Sequence, residues 1–142
     1  MASMRFSILA HNIRSLYNVG AFFRNADGFG ASHVYLTGYT ATPPRPEITK
    51  VALGAEQTIP WSKHEDVYAL LQRHPSLYQW HAPHMEHCVF LFGNEPNGLD
   101  DEILALVHQG LYIPMRGTKS SLNVAVAAGV ILCEAARQTG AD

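Results

Sequence analysis

Three stretches of this chain place polar and charged residues where the pattern passes from an apolar run into a helix. The first is Asn12-Ile13-Arg14-Ser15-Leu16-Tyr17-Asn18-Val19-Gly20-Ala21-Phe22-Phe23-Arg24-Asn25-Ala26-Asp27-Gly28. Gly20 lies four residues before Arg24, on the same helical face. A glycine there clears room for a partner to approach the arginine closely. An amphipathic helix does not require it, and it costs roughly 1 kcal/mol in a helix interior. The second is Phe92-Gly93-Asn94-Glu95-Pro96-Asn97-Gly98-Leu99, where an apolar run ends in a turn that holds a carboxylate between two glycines. Open α/β sheets bind ligands at such carboxyl ends of strands. The third is Ile113-Pro114-Met115-Arg116-Gly117-Thr118-Lys119-Ser120-Ser121-Leu122-Asn123-Val124. Ser120 or Ser121 can cap the helix that follows, and the N–H groups exposed at its start can hold a polar ligand. Asn123 stands out, because asparagine is a poor helix-interior residue.

Other chemistries are excluded by their missing signatures. There is no G-x-G-x-x-G; Gly28-Phe29-Gly30 comes nearest, but it precedes a strand rather than following one. Gly117-Thr118-Lys119-Ser120 lacks the residue order of a phosphate loop, and no G-x-S-x-G elbow occurs. His81, His84 and His87 fall at three-residue intervals beside Cys88, and both residue types ligate metals. Pro83 disrupts any helix that would align them, and no second ligand pair follows at finger spacing. These histidines therefore read as a loop leading into a strand, and no metal is expected.

The elements that must position these stretches alternate strand and helix. Arg5–Ala10 and His33–Thr37 read as strands, with a helix over Asn18–Asp27 between them, closed by Gly28 and Gly30. Thr40–Pro46 carries three prolines and reads as a loop. Ser62–His74 reads as a helix with Ser62 and Glu65 as a capping box. Leu77–His81 is a candidate strand. Cys88–Phe92 is continuously apolar, as expected of a strand buried on both faces. Asp100–His108 reads as a helix with acidic residues in its first turn, Leu111–Ile113 as a short strand, and Ser121–Gln138 as the longest helix. This alternation predicts an α/β domain with a mostly parallel sheet. The last helix is apolar nearly all round, which calls for burial on both sides: the sheet on one and a second subunit on the other.

The 142 residues, 47% hydrophobic and 15% charged, fit one domain and exclude a disordered chain. No apolar run approaches the ~18 residues of a membrane span, and no basic-then-apolar leader opens the sequence. Cys88 and Cys133 both read as buried thiols in a reducing compartment. A net charge of −2 excludes a globally basic nucleic-acid binder. The charge is nevertheless uneven, +3 over residues 1–50 and −5 over the remainder, so an anionic partner is expected to meet the first third.

In their order and spacing, the three stretches resemble the three motifs of the SpoU/TrmH-type RNA 2′-O-methyltransferases of the SPOUT superfamily. The resemblance runs from about Ser7 to Gln138, and the Thr40–Trp61 stretch, with Pro43-Pro44-Arg45-Pro46 and Ala52-Leu53-Gly54-Ala55-Glu56, looks like the short single-domain members. It implies one SPOUT domain over 1–142. That fold is a mostly parallel sheet with helices on both faces and a C-terminal trefoil knot, here over about Phe90–Glu134. The resemblance also implies that S-adenosylmethionine is bound at Trp80, Gly93, Ile113, Met115, Ser121 and Leu122, and that its methyl passes to a ribose 2′-hydroxyl of RNA, transfer RNA ahead of ribosomal RNA. Arg24 carries over as the central catalytic residue, with Asn18, Glu95, Ser121 and Asn123 around it. Arg14 and Arg116 carry over as RNA-backbone contacts. The family works as a homodimer whose site is completed across the interface, in the cytoplasm and without a membrane. No separate RNA-binding domain is visible here, so RNA must be held by the dimer surface or a helper protein. The alternative reading is a non-catalytic RNA-binding or assembly module on the same fold.

Overall fold

A computed structural model describes residues 5–73, 87–94, 99–107 and 110–139. At its centre lies β1 (Arg5–His11), in which Phe6 through Ala10 are all buried. It pairs in parallel on one side with β2 (Val34–Thr37) and on the other with β4 (His87–Gly93); β3 (Trp61–His64) adds to β2, giving the order β3-β2-β1-β4. Continuous burial of β1 follows from cover on both faces. One face carries Phe6, Ile8, Val34, Leu36 and Phe90 against Phe22 and Phe23 of α1 (Leu16–Phe29), Ile48 of α2 (Pro46–Ala52) and Leu132 of α6 (Val124–Gln138). The other packs Leu9 and Val89 against Val67, Leu70 and Leu71 of α4 (Val67–Arg73) and Ile103 of α5 (Asp101–Leu104). The expected parallel α/β architecture with helices on both faces is thus present. Among the described residues no helix is long and apolar enough to cross a membrane.

Local signals were overruled at several points. Ser62 and Glu65 do not cap a helix. Trp61–His64 is the edge strand β3, in register with Val34–Thr37, because the open edge of β2 offers its backbone a ladder. Asp66 caps α4 instead, its Oδ1 accepting the N–H groups of Tyr68 and Ala69 at 3.0 and 3.1 Å. Two short helices after the proline loop, α2 and α3 (Ala55–Thr58), are too brief to show a period. The α5 helix is only one turn, capped by Asp100, whose Oδ1 accepts the Ile103 N–H at 2.9 Å. Leu111–Ile113 forms no strand. The expected strand Leu77–His81 lies outside the described residues, as do His81 and His84. Cys88 is buried, which pushes its thiol up to about 11, but Cys133 is exposed rather than buried. Among the described residues no group of side chains could hold a metal ion.

Gly20 has a structural purpose different from the one expected. A Cβ there would stand 2.6 Å from the Ile48 carbonyl oxygen and 2.9 Å from Val51 Cβ. The glycine lets α2 lie directly on α1; it does not open a path to Arg24. Gly20→Ala is expected to destabilise the fold by about 1–3 kcal/mol, read as a lower thermal midpoint. An unchanged midpoint would mean that α2 docks elsewhere.

A polar seam crosses the α4-side face near the amino ends of the strands. Ser62 Oγ lies 2.8 Å from both His33 Nε2 and His64 Nε2, and Ser7 Oγ lies 2.6 Å from His87 Nε2. Burial lowers the His33 pKa, and the neighbouring His64 and His87 lower it further. Burial also lowers that of His11, against the opposing pull of Asp100. Below pH ~6.5 the unfolded chain takes up protons that these folded histidines resist. Stability should therefore fall as pH drops through that range, read as a lower urea midpoint at pH 5.5 than at 7.5, with a shallower slope in His33→Asn. An equal midpoint at both pH values would contradict this linkage.

Candidate active site

A cavity of about 380 Å³ runs along β4, the outermost strand beyond β1 among the described residues. Its walls are Cys88–Phe92 of β4, Leu99, Leu104 and Val107, the loop from Gly110 to Leu122, and Ala127 and Ile131 of α6. The apolar run of β4 is thus covered on its outer side by a ligand-sized space. Among the described residues, the loop 110–122 makes no backbone–backbone hydrogen bond. Most of the cavity wall is apolar side chain. Small-molecule sites commonly combine such walls with a few polar groups, in volumes of about 300–1,000 Å³.

Four of the six residues expected to bind the cofactor line this cavity together: Ile113, Met115, Ser121 and Leu122. Gly93 follows the lining residue Phe92 at the end of β4 but is not itself in the wall. Trp80 lies outside the described residues. The lining fits a ligand with an aromatic base and a thioether-like chain: apolar and aromatic side chains and the Ser120 and Ser121 hydroxyls.

The helix expected to start at Ser121 starts at Val124. Asn123 is its N-cap, with Oδ1 accepting the N–H groups of Ala125 at 2.9 Å and Val126 at 3.3 Å. Neither Ser120 nor Ser121 caps it. Its other amide end faces α1, as Asn123 Nδ2 donates a long bond of 3.4 Å to Asn18 Oδ1. Two turns further along α1, Asn25 Nδ2 donates to the Ala125 carbonyl at 3.1 Å. Phe22, on the same stripe of α1, packs on Phe92 with centroids 5.6 Å apart. These contacts dock α1 on α6 and bring Asn18 and Asn123 together, one residue beyond cavity-lining Leu122. The start of α1 is itself fixed by Ser15, whose Oγ accepts the Asn18 N–H at 3.1 Å.

Arg24 is not in this cluster. It lies six residues beyond Asn18, about 9 Å along the axis and about 120° round the helix. It shares its stripe with Gly20 and exposed Tyr17, on the α2 side of α1. Arg24 is exposed and, among the described residues, makes no hydrogen bond or ion pair. Glu95 lies outside the described residues. Arg116 is exposed on the cavity loop, and the Arg14 guanidinium lies over the Tyr39 ring, 5.6 Å from its centroid. The sequence reading missed Tyr39 and its bond to Asn94; the only sequence signal was an aromatic directly after the glycine that ends β2.

A parallel sheet with a loop-and-helix cavity at its edge defines an α/β domain built to hold a small molecule beside a strand end. The chain belongs to the SpoU rRNA Methylase family, whose profile matches residues 5–133. It is 31% identical to the 23S rRNA (guanosine-2'-O-)-methyltransferase of Pectobacterium atrosepticum, over 96% of this chain and 62% of that one. It superposes on the AdoMet-bound rRNA methyltransferase from Sinorhizobium meliloti with a TM-score of 0.84 and 26% identity, covering 96% of this chain and 57% of that one. The structure reported as "Structural insights into the 2-OH methylation of C/U34 on tRNA" aligns at a TM-score of 0.80 and 27% identity, covering 97% of both chains. The chain spans less than two thirds of the length of the first curated relatives it matches, 54% and 62%.

Proposed function

We propose that this chain is an S-adenosylmethionine-dependent RNA ribose 2′-O-methyltransferase acting on transfer RNA, with ribosomal RNA as the next candidate. The observation that carries the reading is the cavity beside β4, which Ile113, Met115, Ser121 and Leu122 line together, Leu122 being one residue before Asn123 of the Asn18–Asn123 junction. The relative of matching length, whose reported subject is tRNA 2-OH methylation, supports tRNA. S-adenosylmethionine, when bound, would supply a sulfonium methyl for in-line attack by a ribose 2′-oxygen, the O–C bond forming as the C–S bond breaks, with the thioether as leaving group and the hydroxyl proton released. The chain's own residues do the positioning. Apolar β4 and α6 exclude water from the reacting centre. The loop 110–122, with Gly93 and Trp80, holds the cofactor. Asn18, Asn123 and Ser121 orient the 2′-hydroxyl with Glu95, whose carboxylate can take its proton. Arg24, Arg14 and Arg116 hold the RNA.

Because Arg24 and the Asn18–Asn123 junction face different ways on one chain, we assign Arg24 to the site of a second copy in a homodimer. The exposed stripe Val126 (52%), Val130 (46%) and Cys133 on α6 supports a partner there, since it leaves apolar surface uncovered in one chain. We assign residues 1–142 to a single methyltransferase domain with a trefoil knot over about 90–134, working in the cytoplasm on its RNA. The test is transfer of labelled methyl from S-adenosylmethionine into total RNA of a strain lacking this gene. Recovery of 2′-O-methylnucleoside from the tRNA fraction is expected. Cofactor binding without transfer would replace this reading with a helper-dependent or RNA-binding module.

A further inference from the structure

The loop after β2 holds an exposed aromatic ring more firmly than a solvent-facing turn requires. The Tyr39 N–H donates to Asn12 Oδ1 at 3.0 Å, and Asn94 Nδ2 donates to the Tyr39 hydroxyl at 2.7 Å. Lys63 Nζ donates to the carbonyls of Gly38 at 2.6 Å and Thr40 at 2.5 Å. Thr40, fully buried, donates its hydroxyl to the Ala10 carbonyl at 2.9 Å and accepts the Ile13 N–H at 3.0 Å. Gly38 adopts φ +62, and any Cβ there would collide with Asn12 Oδ1. Yet Tyr39 itself remains 48% exposed. A polar-tipped ring fixed at both ends and left open to solvent is preorganised for contact, because its ordering cost is already met in the free protein.

Its surroundings indicate what it contacts. Asn94 lies two residues past the cavity-lining Phe92, so the ring sits one hydrogen bond from the strand that walls the cavity. Tyr39 also lines an open groove of about 520 Å³ that runs past Thr40 to Arg45 and is bordered by Lys63 and Glu65. The Arg14 guanidinium lies over the ring. A flat aromatic flanked by cations and an open groove is the combination that binds single-stranded nucleic acid, with bases stacked on the ring and phosphates on the charges.

Resting on the methyltransferase reading, we propose that Tyr39 is the platform on which a nucleobase of the substrate RNA stacks beside the reacting ribose, with Arg14 and the Thr40–Arg45 groove taking neighbouring phosphates. The platform sets where the RNA sits and takes no part in the chemical step, so its loss raises the KM for RNA more than it lowers kcat.

The experiment uses total tRNA from a strain lacking this gene. Tyr39→Ala is expected to raise the RNA KM by about 5- to 150-fold, with S-adenosylmethionine affinity unchanged. Tyr39→Phe, which keeps the ring and loses only the bond to Asn94, is expected to recover most of that loss. The Tyr39→Ala defect should be as large in 200 mM salt as in 50 mM, whereas Arg14→Ala should flatten the salt dependence by about one charge. A wild-type KM in Tyr39→Ala overturns the proposal. So does a Tyr39→Phe defect equal to that of Tyr39→Ala, which would give the residue a structural role through Asn94. If the wild-type protein transfers no methyl, the methyltransferase reading falls separately. The platform is then judged by filter binding of the same tRNA, where Tyr39→Ala must bind about 5- to 150-fold more weakly or the proposal fails.

Discussion

Arg24→Ala is expected to abolish methyl transfer while leaving S-adenosylmethionine affinity nearly intact. Arg24 stands exposed on α1, makes no hydrogen bond or ion pair among the described residues, and does not line the cavity. Removing it should therefore disturb neither the fold nor the cofactor. We assign it to holding phosphate and ribose in line with the methyl, a task its planar five-donor fork suits. Loss of one such preorganised charge typically slows turnover by about a hundredfold to a thousandfold. Arg24→Lys keeps the charge but not the planar fork, so it should restore only part of the rate. Single-turnover transfer and equilibrium binding of the cofactor read the two effects separately. A comparable fall in both would overturn the positioning role.

The second large effect is complementation between two inactive variants. Leu122 lines the cavity and is half-buried. Leu122→Arg fills that space and sets a cation against a cationic ligand, so cofactor binding should be lost. Arg24→Ala keeps its cavity but lacks the RNA clamp. If Arg24 serves the partner's cavity, a mixed dimer has one site with both defects and one with neither. Random exchange of subunits then restores about 25% of wild-type activity, since half the dimers are mixed and each has one intact site of two. If each chain builds its own site, both sites of the mixed dimer stay defective, and mixing restores nothing. The geometry favours recovery, because Asn18 and Arg24 lie about 120° apart round α1.

Much of this protein could be read from the order of its residues. The strand–helix alternation, the apolar run Cys88–Phe92 and the three polar stretches depend on local pattern; Leu91 and Phe92 are only partly buried, because β4 borders the cavity. Those signals were enough for the parallel sheet; the four residues of the cavity wall came from the resemblance of the three stretches to the SpoU/TrmH motifs, not from pattern or spacing. Where local signals competed with an open sheet edge or a helix neighbour, they failed. Ser62 and Glu65 spelled a cap, but the unpaired edge of β2 took Trp61–His64 as a strand, and a ladder of backbone hydrogen bonds outweighed one capping bond. Gly20 looked like clearance for a ligand, but it is the contact point of α2. Asn123 looked like a helix-interior anomaly, but it is the cap of α6 and reaches Asn18 across 105 positions of sequence. The ring of Tyr39 is tied to Asn94, 55 positions away. Such juxtapositions leave no period or spacing in the chain, because they are set by how the helices and loops settle on the sheet. The sequence by itself determined which residues could do chemistry and which faces had to be buried. The tertiary structure decided which of those residues meet, that Arg24 stands apart from Asn18 and Asn123, and where an aromatic ring is held open beside the cavity, since each depends on packing between elements that the local chain does not encode.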